Sequence, residues 1–227
     1  TTHPKADFLT QGKELCHQHG GLFILDETIT GFRYSLGGAQ ELFNVTPDLA
    51  TFGKGMANGY PISAVVGRRD IMMLMEDIFF SGTFAGETLS LAATKATLGV
   101  IKENNVVEHL KLIGDKLQLG LNKIINDMQA QQWLSVTGHP AWSFLNIGDH
   151  GPYNALELKS LFLQEMSARG FLLGGGHNLN YAHKQADIEA LLSAYRQVLA
   201  TLAETIVKED LTIRFKGELL KPVFKVR

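Results

Sequence analysis

Cysteine, long apolar runs and an excess of either charge are all scarce in this sequence, and each scarcity excludes a class of protein. A single cysteine, Cys16, cannot build an intramolecular disulfide framework and is typical of a reducing cytoplasm. No apolar run reaches the length of a membrane span. The net charge of −2 indicates no basic surface for nucleic acid or anionic lipid. We therefore expect a cytoplasmic protein with neither a nucleic-acid partner nor a membrane partner.

Metal-ligand spacing is absent as well. The eight histidines are scattered and form no His-x-x-x-His pair with a carboxylate, so we predict no metal site. The apolar fraction is large, because 45% of 227 residues suffices for the core of one large domain or slightly more. The N-terminus lacks a signal peptide's apolar core and an initiator methionine, so we expect the chain to begin inside a longer protein.

Two short apolar segments each end in residues whose side chains can take part in catalysis. We predict a buried parallel strand over residues 22–25, which ends in Asp26 and Glu27. A second predicted strand over residues 48–52 delivers Lys54 at its end. Ligands of open α/β sheets bind at the carboxyl ends of the strands. If the two strands are parallel, Asp26 and Lys54 lie at the same edge of one sheet.

Lys54 lies between two glycines, where we expect a half-buried amine. A partly desolvated amine is a good nucleophile toward carbonyl groups, which is what a Schiff-base lysine requires. Such a lysine gains most from an electron sink such as pyridoxal phosphate, and a carboxylate like Asp26 keeps the ring nitrogen of that cofactor protonated. The alternatives are an ordinary exposed loop lysine at position 54 and a turn or helix-capping aspartate at position 26.

A second unusual loop covers residues 79–86. Ser81, Gly82 and Thr83 bring backbone N–H groups and hydroxyl groups to one place, which suits the binding of an anion such as a phosphate. A plain turn before the next helix is the alternative, and the spacing leaves both open.

The remaining pattern predicts helices and strands along the whole chain. We expect an inward-facing Phe8 and Leu15 on the first helix, a buried helix over residues 88–103, and a change of composition near Asn104. The tail over residues 211–227 is either a strand pair or a docked extension. The predicted helices cover residues 7–19, 88–103, 106–130, 154–169 and 183–205, and the other predicted strands cover 62–66, 133–137, 142–147 and part of 170–176.

Several motifs between residue 22 and about residue 100 also resemble a known family. They are Asp26-Glu-Thr-Ile-Thr-Gly-Phe-Arg33, Gly37-Gly-Ala-Gln-Glu41, Val45-Thr-Pro-Asp-Leu49, Gly53-Lys-Gly55, Gly59-Tyr-Pro61 and Gly67-Arg-Arg-Asp-Ile-Met72. Together they resemble the class III pyridoxal-phosphate aminotransferases, and within these the glutamate-1-semialdehyde 2,1-aminomutase-like members. The match is weaker beyond residue 104.

The resemblance implies an α/β fold. Residues 1–103 are expected to form the C-terminal part of the large cofactor-binding domain of a fold-type I enzyme, with a mostly parallel sheet. Residues 104–227 are expected to form a small α+β domain. The resemblance covers only the C-terminal portion of the family's chain.

The resemblance also implies roles for individual residues. Lys54 would form the Schiff base and carry the proton of the substrate carbon, and Asp26 would pair with the pyridine nitrogen. Thr28 and Ile29 stand at positions that contact the cofactor. Gly82 and Thr83 would bind the phosphate of the cofactor held by a partner subunit, so a homodimer would be part of the site. Glu87 stands where the family has a neutral amide.

The expected function is amino-group transfer between a small-molecule amino donor and an acceptor. One alternative is the intramolecular transfer of a glutamate-1-semialdehyde 2,1-aminomutase, which consumes no separate donor. An alternative of a different class is an incomplete, catalytically inactive fragment that serves only folding or dimer contacts.

Overall fold

The computed structural model describes residues 4–5, 7–174 and 176–221. Within that part of the chain, the contacts between residues separate two compact units, one ending at Leu110 and one beginning at Lys111. Each unit is described by itself below.

The N-terminal unit contains a small sheet with helices on either side of it in sequence. Strands β1 and β2 are parallel, β2 and β3 are antiparallel, and the strand order is β1-β2-β3. Two 3-10 turns, at Lys54–Met56 and Met73–Glu76, complete the unit. The elements are α1 (Phe8–Gln18), β1 (Ile24–Asp26), α2 (Ala39–Leu42), β2 (Leu49–Phe52), β3 (Ala64–Gly67), α3 (Arg69–Met72) and α4 (Thr88–Glu103).

The C-terminal unit combines an antiparallel sheet with long helices. The strand order is β4-β5-β6, and both pairs are antiparallel. Its elements are most of α5 (Val106–Asp127), β4 (Leu134–His139), β5 (Trp142–Ile147), α6 (Ala155–Ala168), β6 (His177–Asn178), α7 (Gln185–Lys208) and α8 (Leu211–Arg214).

The start of α6 shows how the sequence sets a helix boundary. The Asn154 side chain accepts hydrogen bonds from the backbone N–H groups of Leu156 (3.0 Å) and Glu157 (3.1 Å). The Glu157 carboxylate in turn accepts from the backbone N–H of Asn154 (2.9 Å). This capping box satisfies N–H groups that have no partner inside the helix, and it fixes the helix start.

The C-terminal unit has a closed apolar core. Helices α6 and α7 pack against each other, and α6 packs on β5. A Cβ atom at Gly114 would collide with the carbonyl oxygen of Pro140, so the backbone of α5 runs directly against the turn between β4 and β5. Fully burying one large apolar side chain stabilises a fold by about 1.5–3 kcal/mol. The most deeply buried apolar residues are Leu117, Leu121, Leu158, Leu161, Met166, Val198, Leu199, Leu202 and Leu211.

The N-terminal unit buries far less. The predicted burial of three of its elements is wrong in this chain: Phe8 and Leu15 of α1 are exposed, Ile24 of β1 is 53% exposed, and α4 buries only Ser90 and Ile101. Large apolar side chains of these elements stay exposed, although α4 contacts the 3-10 turn at Lys54–Met56. The buried apolar residues are Val45, Ala50, Met56, Ala57, Ile101, Val106 and Leu110.

Two details of the predicted elements also differ. The short strand expected within residues 170–176 is instead β6, because the hydrogen-bond partners on β5 lie opposite His177 and Asn178. The tail forms α8 and an extended segment up to Lys221 rather than a strand pair, while residues 222–227 lie outside the described residues. Among the helices of the described chain, none is both long and apolar enough to cross a membrane.

Candidate active site

The carboxyl ends of β1 and β2 bring together two of the predicted site residues. The two strands are parallel, and their register places Asp26 opposite Thr51. β2 then ends at Phe52, and the 3-10 turn begins at Lys54. The prediction that Asp26 and Lys54 lie at the same edge of one sheet is therefore confirmed.

Asp26 is held as a carboxylate by hydrogen bonds. Its Oδ1 accepts from the backbone N–H of Thr28 (2.9 Å) and from the hydroxyl of Thr51 (3.0 Å). Hydrogen bonds from Thr28, then that from Thr51, and finally the positive charge of Lys54 lower the pKa of the Asp26 carboxyl below its ordinary value. The site thus presents a stable negative charge at the strand end, within the electrostatic reach of Lys54.

Lys54 adopts a backbone conformation that lysine rarely takes. Its φ is 42°, in the left-handed region, which costs a residue with a Cβ atom on the order of 1–3 kcal/mol. Buried Met56 and Ala57 anchor the turn that holds it there. The Lys54 side chain itself is exposed, so the expectation of a half-buried amine is wrong in this chain. Six other non-glycine residues of the described chain also have a positive φ, so the strain alone assigns no role to Lys54.

Thr28 and Ile29 belong to the same edge of the sheet. Both follow β1 directly; Thr28 is half-buried, and Ile29 is 37% exposed. A Cβ atom at Gly53 would lie 3.5 Å from the methyl carbon of Thr28, so the Thr28 side chain is next to the residue that precedes Lys54. The structure therefore brings Asp26, Thr28 and the Lys54 turn into one cluster.

Glu27 is the acid whose role the sequence left open, and it is structural. Its side chain is buried and accepts from the backbone N–H groups of Ala39 (2.8 Å) and Gln40 (2.7 Å), and from the hydroxyl of Thr30. A Cβ atom at Gly38, whose φ is 82°, would collide with this carboxylate. Glu27 thus links the loop after β1 to the start of α2.

Asp48 is a second buried anchor that sequence reasoning missed. Its side chain is 3% exposed and accepts from His17 Nε2 (2.7 Å), Arg68 Nη1 (3.0 Å) and the backbone N–H of Phe23 (2.8 Å). These donors hold the pKa of the Asp48 carboxyl far below its usual range. The network joins α1, the start of β1 and the end of β3 to the start of β2, and so fixes the register that places Lys54.

Gly82 and Thr83 lie in a different, exposed loop. Its hydrogen bonds are local: Ala85 N–H donates to the carbonyl of Gly82 (3.0 Å), and Glu87 N–H donates to the carbonyl of Phe84 (3.1 Å). Glu87 caps α4 by accepting from the backbone N–H groups of Leu89 (2.7 Å) and Ser90 (2.7 Å). Gly82 and Thr83 thus lie in an exposed loop, while Asp26, Thr28 and the Lys54 turn cluster at the sheet edge.

Thr51 could have been found from the sequence. In a parallel pair, the residue opposite the acid that ends one strand has its hydroxyl within reach of that acid, so a threonine three positions before the lysine is a signal. Glu27 had a weaker signal: neighbouring residues of a strand point to opposite faces, so only one of two adjacent acids can face a ligand. In the described part of the chain, no three His, Cys, Asp or Glu side chains form a group that would hold a metal ion.

Comparison with known proteins identifies the class of protein. The sequence model of the family described as Aminotransferase class-III matches residues 1–174, and the chain belongs to that family. The chain is 36% identical over 211 residues to a glutamate-1-semialdehyde 2,1-aminomutase of Desulfatibacillum aliphaticivorans, covering 88% of this chain and 50% of the relative. It is 32% identical over 207 residues to a 3-aminobutyryl-CoA aminotransferase of Cloacimonas acidaminovorans, covering 89% of this chain and 49% of the relative.

Solved structures confirm the fold class. The FumI protein of Sphingopyxis sp. MTA144, solved in a pyridoxal-phosphate internal aldimine form, superposes with a TM-score of 0.82 at 25% identity, over 91% of this chain and 49% of that chain. An omega-transaminase from Sphaerobacter thermophilus superposes with a TM-score of 0.77 at 21% identity, over 88% and 49%. The chain spans about half the length of the curated relatives it matches.

Proposed function

We propose that this chain carries the lysine-bearing part of a pyridoxal-phosphate-dependent amino-transfer site that acts as a transaminase on small amino and keto compounds. The observation that carries the proposal is the placement of Asp26 and Lys54 at the carboxyl ends of parallel β1 and β2. Membership of the class III family and the pyridoxal-phosphate form of the FumI relative support it.

The chemistry of the donor set fits this cofactor. A carboxylate that stays ionised, such as Asp26, favours a protonated pyridine nitrogen, and an amine such as Lys54 reacts with an aldehyde. When bound, pyridoxal phosphate supplies an electron sink for the carbon that carries the amino group. A binding module for a sugar or a nucleotide would have no evident use for this combination of an ionised carboxylate and a reactive amine.

Each of the predicted site residues has a separate role in this proposal. Lys54 would hold the cofactor through its aldehyde and move a proton at the substrate carbon, and the Asp26 carboxylate would stabilise the protonated ring nitrogen. Thr28 and Ile29 would contact the cofactor. Gly82 and Thr83 would bind the phosphate group held by a second copy of the chain, so the proposed enzyme is a homodimer.

Borohydride trapping tests the central residue. The 227-residue chain is incubated with pyridoxal phosphate and reduced, and the labelled peptide is identified by mass spectrometry. The label is expected on Lys54 and is lost in Lys54→Ala, while Lys111→Ala, which removes another exposed lysine, keeps it. A label spread evenly over the lysines, or one unchanged in Lys54→Ala, would contradict the proposal.

The Asp26→Asn variant distinguishes attachment of the cofactor at Lys54 from catalytic turnover. The amide cannot stabilise a protonated ring nitrogen, so this variant is expected to keep the label on Lys54 but to lower turnover by orders of magnitude. Release of keto acid from the amino donor measures turnover. Near-normal turnover in Asp26→Asn would remove the role assigned to this residue.

Two other functions are favoured by particular observations. The 36% identical aminomutase relative favours intramolecular transfer, which a donor balance distinguishes because an aminomutase consumes no separate amino donor. The exposure of Lys54 favours an inactive fragment with a role in folding or dimer contacts, for which no specific label at Lys54 is expected. The two-domain assignment, residues 1–103 and 104–227, and the cytoplasmic location remain predictions.

A further inference from the structure

The hydroxyl of Thr51 connects the two strands that carry the candidate site. Thr51 lies on β2, opposite Asp26 of β1, and precedes Lys54 by three residues. Its hydroxyl oxygen lies 3.0 Å from Asp26 Oδ1. An ionised carboxylate only accepts hydrogen bonds, so the Thr51 hydroxyl is the donor. This contact ties the acid at the end of one strand to the strand that leads to the lysine.

The hydrogen bonds to Asp26 converge on one of its two oxygens. The backbone N–H of Thr28 donates to the same Oδ1 (2.9 Å), an arrangement that aspartate commonly makes with the residue two positions further on. A carboxylate has about four acceptor positions, about two on each oxygen. Because Thr28 and Thr51 both donate to Oδ1, Oδ2 keeps acceptor capacity for a donor that belongs to a ligand.

The two donors to Oδ1 constrain Asp26 in different ways. The Thr28 bond is local and holds Asp26 to the loop that follows β1. The Thr51 bond joins residues 25 positions apart and holds Asp26 to β2. Hydrogen bonds from Thr28, and after them the bond from Thr51, lower the pKa of the Asp26 carboxyl. The Thr51 bond is thus the one that orients the carboxylate relative to the strand before Lys54.

We propose that Thr51 is a positioning residue of the amino-transfer site, whose hydroxyl holds Asp26 Oδ1 so that Oδ2 accepts the N–H of a protonated pyridine ring. This inference rests on the proposed function, in which Asp26 stabilises that ring nitrogen. Without the hydroxyl, the Asp26 side chain is free to leave this rotamer and holds the ring proton less well. Thr51 acts through Asp26 and has no contact of its own with the cofactor in this proposal.

NMR of the cofactor's ring nitrogen tests this role. Pyridoxal phosphate with an isotope-labelled ring nitrogen is added to the 227-residue chain at neutral pH, and the chemical shift distinguishes protonated from neutral pyridine. We expect a protonated nitrogen in the parent and in Thr51→Ser, which keeps a hydroxyl. In Thr51→Val, which loses it, the protonated fraction should fall toward that of Asp26→Asn. Thr10→Val removes an exposed hydroxyl of α1 and should match the parent.

Titration of the Asp26 carboxyl gives a second readout that needs no cofactor. Its carbon resonance is assigned by its loss in Asp26→Asn and is followed over the pH range in which circular dichroism shows a folded chain. Thr51→Val should raise the pKa of Asp26, because the carboxylate loses a hydrogen-bond donor. Thr51→Ser should restore the pKa of the parent.

Borohydride trapping distinguishes failure of this inference from failure of the proposed function. If the parent carries the label on Lys54 and a protonated ring nitrogen, but Thr51→Val matches it in both NMR measurements, the role of Thr51 is overturned and the proposed function stands. A change in Thr51→Ser as large as that in Thr51→Val would also overturn this role, because the strand rather than the hydroxyl would then be responsible. A parent chain without the label on Lys54 would overturn the proposed function and this inference with it.

Discussion

The two units of this chain differ in how they bury apolar side chains. The C-terminal unit buries many large apolar side chains of α5, α6 and α7, among which Leu121 is 0% exposed. The N-terminal unit buries fewer apolar residues and leaves many large ones at the surface, of which Phe79 is 96% exposed. The unit that carries Asp26 and Lys54 is thus the one with less apolar stabilisation of its own.

The difference shows that polar anchors can hold a site where a core does not. In the N-terminal unit, the buried carboxylates of Glu27 and Asp48 gather backbone N–H groups and charged side chains from several segments. Buried carboxylates are tolerated only when such partners satisfy them. The position of Lys54 therefore depends on hydrogen-bond geometry, and the stability of the C-terminal unit depends on packing.

The largest effect is expected from truncating the core of the C-terminal unit. Leu121→Ala leaves a cavity in a fully buried position and should lower the free energy of unfolding by about 2–5 kcal/mol. Both tryptophans lie in this unit, so denaturant unfolding followed by their fluorescence reports on it. Leu119→Ala on the same helix is the control, because Leu119 is 70% exposed and its change should stay within about 0.5 kcal/mol.

A pH-dependent effect is expected from His177. Burial lowers the pKa of His177 from 6.5 to about 4, so between these values the unfolded chain binds a proton that the folded chain does not. The contribution of His177 is complete above pH 6.5 and is lost as pH falls toward 4, by about 3 kcal/mol in all. Tryptophan-monitored unfolding at a series of pH values should show this slope, and His177→Gln should flatten it. An unchanged slope in His177→Gln would contradict the assignment.

A smaller effect is expected at the start of α6. Asn154→Ala removes the side chain of the capping box and should cost about 1 kcal/mol of unfolding free energy. Asn154→Asp keeps an acceptor for the same N–H groups and should restore most of the stability. If alanine and aspartate behave alike, the cap does not set the boundary of this helix.

The smallest effect on stability is expected in the N-terminal unit. Phe80→Ser replaces an exposed ring and should change the unfolding free energy by less than about 0.5 kcal/mol, because little burial is lost. It should lower the binding of a hydrophobic dye such as ANS, because the exposed aromatic loop becomes smaller. Phe162→Ser in the buried core of the other unit should instead be strongly destabilising. Dye binding unaffected by Phe80→Ser would show that this loop is covered.

Local sequence signals predicted the elements well and their burial poorly. The helix predicted over residues 88–103 is α4 with the same bounds, because Glu87 caps its start and apolar spacing marks its length. Its predicted burial is wrong because burial depends on what packs over a face, which a helix's own sequence does not encode. The strand at His177 was misplaced for a related reason: its position follows from partners on β5.

For the candidate site as well, the sequence predicted some of the residues and missed others. Asp26 and Lys54 follow from two strand ends and their chemistry, and the parallel pairing confirms their placement. The anchors Glu27 and Asp48 were missed, because what distinguishes a buried, bonded carboxylate from an exposed one is contact with distant segments. The Ser143–His177–Tyr195 chain of hydrogen bonds in the other unit shows the same limit, since its members lie far apart in the sequence.

The pairing of Asp26 with Thr51 limits how the sheet edge can be altered by insertion or deletion. Adding one residue after Phe52 would displace the Lys54 turn relative to Asp26, because this turn follows β2 after Gly53 alone. The number of peptide units over residues 51–54 is therefore constrained together with the side chains at this edge. Libraries that vary loop length should therefore place their insertions outside residues 51–54.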